Sequence, residues 1–168
     1  MIYLSAGHFP SAPGASWKGF VEHAEAKLWV WQILASLPEA VIVPSVELSR
    51  KIAWVNKRAS ASDLLVEVHF NAAAPGARGC ETLYAPKSSS GRAVAERLQS
   101  VLERFFVGRG VKEGWYQQNP RRGPLALLAR TRCTSVIIEP EFVYNAELIR
   151  SQRNACCAAL ASELRRLA

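Results

Sequence analysis

The chain has 168 residues, 49% hydrophobic and 21% charged, with 21 Lys+Arg against 14 Asp+Glu for a formal net charge of +7. That length suits one domain, 1–168, able to bury a full core without disulfide staples, and the composition excludes intrinsic disorder, collagen-like repeats and a coiled coil. The longest apolar runs, Leu28–Ala35 and Leu125–Ala129, fall far short of the roughly 18 residues of a membrane span, so no membrane insertion is expected. The basic balance attracts polyanions by its long-range field, nucleic acid and cell-wall polymer alike.

Met1–Ser5 reads as a short buried strand. It has neither a basic segment nor an apolar stretch ahead of a cleavage site, so no signal peptide is expected, and the protein is expected to be made in the cytoplasm. Residues 7–19 form a loop rich in Gly, Pro and Ser, long enough to suspect function. A helix follows from Glu22 to about Leu37, with Val30, Ile33, Leu34 and Leu37 on one face, and Pro38 stops it. Ala40–Pro44 is a short strand, and 45–60 a second helix with Leu48, Ile52, Val55 and Ala59 in register. Asp63–Phe70 is the most convincing strand, nearly continuous in aliphatics as for a strand covered on both faces. Gly79–Ala85 is another. Residues 91–106 form an amphipathic helix on Val94, Leu98, Val101, Leu102 and Phe105. Residues 107–124 read as loop, Leu125–Ala129 and Ser135–Glu139 as strands, and Ala146–Leu167 as the final helix. The alternation predicts an α/β fold, a three-layer sandwich with a mostly parallel sheet flanked by helices. Trp17, Trp29, Trp31 and Trp54 are expected in or near the core. The four cysteines, Cys80, Cys133, Cys156 and Cys157, have no zinc-ligand spacing and are expected to be free, mostly buried thiols.

Two of the three histidines stand at strand ends: His8 after the first strand, and His69 in Glu67-Val68-His69-Phe70-Asn71. A third strand ends at Ile137-Ile138-Glu139, and Glu22 opens the first helix. In an open α/β sheet the loops at the carboxyl ends of the strands form the ligand crevice, so His8, Glu22, His69 and Glu139 are positioned to converge. Two imidazoles and a carboxylate make a zinc-ligand set with a fourth position for water, which zinc acidifies to a pKa of about 7. A further carboxylate is then needed to carry the proton to a leaving amine; Glu139 fits, since an unpaired carboxylate leaving a buried strand is otherwise costly. Blander readings stand beside this one: His69 as a satisfied strand histidine, His8 as a loop residue, Glu22 as a helix N-terminal carboxylate favoured by the dipole. His23, adjacent to Glu22, points elsewhere on its helix.

These residues stand within a longer run of motifs: Ser5-Ala6-Gly7-His8; Glu22; Val68-His69-Phe70-Asn71-Ala72; Gly79-Cys80-Glu81-Thr82-Leu83-Tyr84; Arg109-Gly110-Val111-Lys112; and Glu139-Pro140-Glu141-Phe142-Val143-Tyr144-Asn145. In that order the chain resembles the zinc-dependent N-acetylmuramoyl-L-alanine amidases of the amidase-3 family, which include catalytic domains of phage endolysins. The resemblance implies a phosphorylase/hydrolase-like sheet, one zinc ion held by His8, Glu22 and His69, and Glu139 as catalytic carboxylate. The implied reaction is hydrolysis of the amide between N-acetylmuramic acid and the stem-peptide L-alanine of bacterial peptidoglycan. Asn71, Glu81 and Glu141 are candidate substrate contacts. Three departures from the family pattern stand out: Phe9-Pro10 follow Gly-His, Glu141 replaces a glycine two residues after Glu139, and Lys51 stands where an arginine is usual. Glu141 is expected either to raise the pKa of Glu139 by like-charge repulsion or to bind a cationic group of the stem peptide.

The expected role is a phage or prophage endolysin, a monomer without a separate wall-binding domain, released through a holin pore. The rival is a basic α/β module that binds polyanion or wall without catalysis. No nucleic-acid motif supports a nucleic-acid partner, since the basic residues are not interleaved with an aromatic platform.

Overall fold

The computed structural model describes residues 1–168. Strand residues alternate between the two faces of a sheet, and here that alternation builds two unequal cores. Along β1 (Ile2–Ala6), Ile2, Leu4 and Ala6 face one side and Tyr3 the other. Along β5 (Leu64–Val68), Leu64, Val66 and Val68 oppose Leu65; along β8 (Thr134–Glu139), Val136 and Ile138 oppose Ile137. The two-residue β4 (Val41–Ile42), β6 (Cys80–Tyr84) and β7 (Gly108–Glu113) complete a six-stranded sheet in the order β4-β1-β5-β8-β6-β7.

On the first face pack α1 (Glu22–Ser36), α3 (Ser89–Leu102) and α5 (Ala146–Leu167), enclosing a cluster of 30 buried residues around Trp29, whose ring meets Phe70 edge-on at 5.7 Å. The other face carries only α2 (Leu48–Asn56) and the five-residue α4 (Ala126–Arg130), which supply Ile52, Val55, Leu127 and Leu128 to a cluster of 11. A two-stranded hairpin, β2 (Ser16–Trp17) with β3 (Phe20–Val21), leads into α1. The architecture is the expected three-layer sandwich, and no helix is long and apolar enough to cross a membrane.

Most pairs in the sheet are parallel, but β6 runs antiparallel to β8, with Glu81 directly opposite Glu139. That reversal brings the start of β6, rather than its end, to the edge where β1, β5 and β8 finish. Three expectations fail. Residues 108–113 are an edge strand, not loop; the half-buried segment Gly-Arg-Gly-Val-Lys-Glu lacks an apolar alternation to announce it. Leu125–Ala129 is mostly α4, because periodicity cannot tell a short apolar run in a strand from a buried helical turn. Trp31 and Trp17 are exposed, by 56% and 37%, while Trp29 is fully buried. All four cysteines are free and buried, as expected.

Candidate metal centre and active site

On the α2/α4 face the apolar residues give way to polar ones as each strand reaches its carboxyl end. Tyr3 is followed two residues on by Ser5, Leu65 by Glu67 and then His69, and Ile137 by Glu139. In antiparallel β6 the same face reads from Glu81 to Leu83. Period-2 alternation thus gathers the ionisable groups at one end of one face, where the thin α2/α4 layer leaves room.

His8 reaches this edge through Gly7, and its backbone is left-handed (φ 60), a conformation that costs a non-glycine residue energy and persists where the surroundings impose it. Two contacts hold the turn: Gly7 N–H donates to the Val68 carbonyl at 2.8 Å, and the buried His23 ring contacts the Gly7 carbonyl through Nδ1 at 2.7 Å. His23 therefore braces the loop, a role that its position beside Glu22 concealed. Burial pushes the pKa of His23 down, which favours the neutral ring with its proton on Nδ1.

Glu22, at the start of α1, spans the two candidate histidines. Its Oε2 lies 3.1 Å from His8 Nε2 and its Oε1 2.9 Å from His69 Nδ1. Backbone N–H groups of Ala15 and Phe70 donate to the same two oxygens at 3.0 and 3.1 Å. Burial opposes ionisation of Glu22, but the hydrogen bonds from the two imidazoles outweigh it and hold the carboxyl well below the usual range. His69 lies between carboxylates, with Glu67 Oε1 2.9 Å from its Nε2. Burial would lower its pKa; Glu22 and Glu67 together raise it to about 10.

One nitrogen or oxygen from each of His8, Glu22 and His69 lies within 4.8 Å of the others. Glycines leave space for this cluster: a Cβ on Gly7 would sit 2.5 Å from the His69 ring, and one on Gly14 2.5 Å from both Glu22 Oε2 and the His8 ring. Two imidazoles and a carboxylate, converged and cradled in this way, fit a zinc ion with an open coordination position. On one side opens an apolar pocket of about 280 Å³, lined by Phe9, Val46, Leu48, Tyr116 and Leu125 beside His8 and His69. Phe9, one of the unusual residues after Gly-His, is thus part of the pocket wall.

Glu139 ends β8 next to His69. Burial is the main force raising its pKa, to about 7; the negative charges of Glu81 and Glu22 add to it, and His69 opposes them. The like charge beside Glu139 is therefore Glu81 and not Glu141. Glu141 is buried and its Oε1 accepts from the N–H groups of Gly79 and Phe142 and from Asn145 Nδ2, at 2.7, 2.8 and 3.1 Å. It anchors the loops behind the site and lines a separate hollow with Arg78 and Phe106. Its other oxygen, Oε2, is buried with no hydrogen-bond partner.

Glu81 is buried and receives Arg109 Nε at 2.8 Å and the Lys112 ammonium, both on Oε2. Burial works against its charge, and these two cations hold its pKa below the usual value. Asn71 lies beside it, and its buried side-chain amide also favours the charged form of Glu81. Sequence reasoning did not foresee the buried pair of Glu67 and Lys51, although Lys51 stood out as a departure. A carboxylate two residues before a candidate ligand, in an otherwise aliphatic strand, was the available signal.

By sequence, no curated protein matches the chain. Among solved structures, an N-acetylmuramoyl-L-alanine amidase from Clostridium difficile 630 superposes with a TM-score of 0.83 at 17% identity, covering 98% of this chain and 94% of that one. The catalytic domain of the CD27L endolysin targeting Clostridia difficile gives 0.77 at 22%, covering 98% and 96%. The amidase AmiC2 of Nostoc punctiforme gives 0.81 at 19%, covering 99% and 96%. These likenesses establish the shared fold. The amidase-3 family model, described as N-acetylmuramoyl-L-alanine amidase, matches residues 2–155, nearly the whole chain with every motif of the site, and the chain belongs to that family.

Proposed function

We propose that this peptidoglycan amidase cleaves the bond between N-acetylmuramic acid and L-alanine with the help of one zinc ion held by His8, Glu22 and His69, and that Glu139 is its catalytic carboxylate. The observation that carries this is the convergence of the three ligand atoms within 4.8 Å, with Glu139 on the adjoining strand. When bound, zinc supplies Lewis acidity, which acidifies water and polarises a carbonyl. Glu139, its pKa raised to about 7, is suited to accept a proton from the attacking water and return it to the leaving amine nitrogen. Asn71, beside Glu81 at the same edge of the sheet, remains the candidate contact for a substrate carbonyl. Glu81 acts on Glu139 through its charge.

The test is mass spectrometry of purified peptidoglycan incubated with zinc-replete protein. Free stem peptides beginning with L-alanine, absent with Glu139→Ala, are expected. Uncleaved material in the presence of folded, zinc-loaded protein would overturn the proposal. As to biological role, we propose a phage or prophage lysis enzyme that meets the wall once the membrane is breached. Its likeness to an endolysin catalytic domain and the net charge of +7, which favours anionic wall polymer, support this. Cells expressing the chain are expected to lyse only when a membrane-permeabilising protein is co-expressed. Lysis that depends instead on a secretion route would assign it to the bacterium's own wall turnover.

A further inference from the structure

Beneath His69 lies a carboxylate that the proposed reaction does not consume. Glu67 is two residues before His69, which directly follows β5, so both side chains point to the α2/α4 side. Glu67 is 3% exposed, and its partner Lys51, reaching in from α2, is 2% exposed. The Lys51 ammonium contacts Glu67 Oε2, and the Ser5 hydroxyl donates to the same oxygen at 2.7 Å. Lys51 also donates to the Ala6 carbonyl at 2.8 Å. The other oxygen, Oε1, lies 2.9 Å from His69 Nε2, while Nδ1 of the same ring faces Glu22 at 2.9 Å.

The geometry constrains the imidazole. Two donors hold Oε2, leaving Oε1 to accept, so the hydrogen between Glu67 and His69 belongs to Nε2. The nitrogen left for a metal is then Nδ1, the one already turned toward Glu22. The network also spans the elements that carry both histidines: Ala6 and Ser5 belong to β1, which leads to His8, Glu67 to β5, which leads to His69, and Lys51 ties them to α2. A buried ion pair is weak evidence of stabilisation, since an apolar pair of similar volume is often neutral or stabilising. A carboxylate on the far nitrogen of a ligand histidine fixes its tautomer and orientation, and loss of such a partner typically weakens metal binding by about 10–100-fold.

We propose that Glu67, clamped by Lys51 and Ser5, is a positioning residue that orients His69 and makes Nδ1 its ligand atom. The proposal rests on the reading of His69 as a metal ligand. It is tested on the full chain by two measurements: zinc affinity by competition with a chelating dye, and nitrogen-15 NMR of the histidine rings in the zinc-loaded protein. In the unmutated protein the His69 spectrum is expected to report hydrogen on Nε2 and metal on Nδ1. The paired substitution Lys51→Met with Glu67→Leu removes both charges together. It is expected to weaken zinc binding by about 10–100-fold while the metal-free protein still folds and unfolds in one cooperative transition. Lys51→Arg is expected to keep most of the affinity.

Zinc bound through Nε2 in the unmutated protein overturns the proposal without any substitution, so a poorly folding variant does not rescue it. Wild-type affinity in a folded double variant overturns it as well, and leaves the amidase assignment standing. An unmutated protein that binds no zinc overturns both the metal centre and the role of Glu67.

Discussion

The two faces of the sheet are built from the same strands and do different work. The α1/α3/α5 face is sealed by a cluster of 30 buried residues, and the α2/α4 face by 11. On the thick face the aliphatic series continues to the strand ends, through Val68 and Ile138. On the thin face it stops sooner, at Leu65 and Ile137, and Glu67, His69 and Glu139 take its place. Apolar cover and ionisable groups thus divide along the two sides of one pleat. The thick face supplies the stability that lets the thin face hold buried carboxylates, which cost free energy unless paired.

The sharpest way to break this division is to alter the thin face's chemistry alone. Glu139→Gln is expected to lower amidase turnover by about 10²–10⁴-fold with the unfolding temperature essentially unmoved; turnover and calorimetry on the same sample check it. A large loss of stability would mean that the site shares in holding the fold.

The converse cut is Trp29→Ala on the thick face, where the indole is fully buried. It is expected to cost about 3–5 kcal/mol in urea unfolding, whereas Leu127→Ala, beside the open pocket, is expected near 2 kcal/mol because its neighbours can close on the space. Equal losses would erase the contrast between the faces.

Protons sharpen it further. In the metal-free protein the folded pKa of His69, about 10, lies above its ordinary value of 6.5. Its contribution to stability is full below pH 6.5 and is lost as pH rises toward 10. Glu67, held at about 2, and Glu22, also lowered, contribute above pH 4.5 and lose that contribution as pH falls. Urea unfolding across pH is therefore expected to show a maximum between roughly pH 4.5 and 6.5 from this cluster. Zinc binding is expected to tighten as pH rises, because the metal displaces the His69 proton. A stability curve flat from pH 6 to 10 would count against the pairing of His69.

The smallest expected change concerns Glu81. Burial, then Glu81, raise Glu139, so Glu81→Gln is expected to move the acidic limb of the pH–rate profile downward while leaving the alkaline limb in place. The same profile in Glu141→Gly is expected to keep its acidic limb, since Glu141 is not among the charges that shift Glu139 and its Oε1 is held by Gly79, Phe142 and Asn145.

What the residues determined by themselves was local periodicity and the order of motifs. Aliphatic runs marked β1, β5 and β8, helical spacing marked α1, α2, α3 and α5, and the motif order marked His8, Glu22, His69 and Glu139. These signals are carried by short-range sterics and by side chains that must face a core, so they survive in one dimension. Only the tertiary structure decided the rest. The antiparallel direction of β6 placed Glu81, and not the nearer-in-sequence Glu141, opposite Glu139. The edge strand β7 was supported by its neighbour more than by any pattern of its own. Lys51 and Glu67, 16 residues apart, met beneath His69. Strand direction and long-range ion pairs depend on which segments pack together, and that choice is made by the whole chain as it closes around its core.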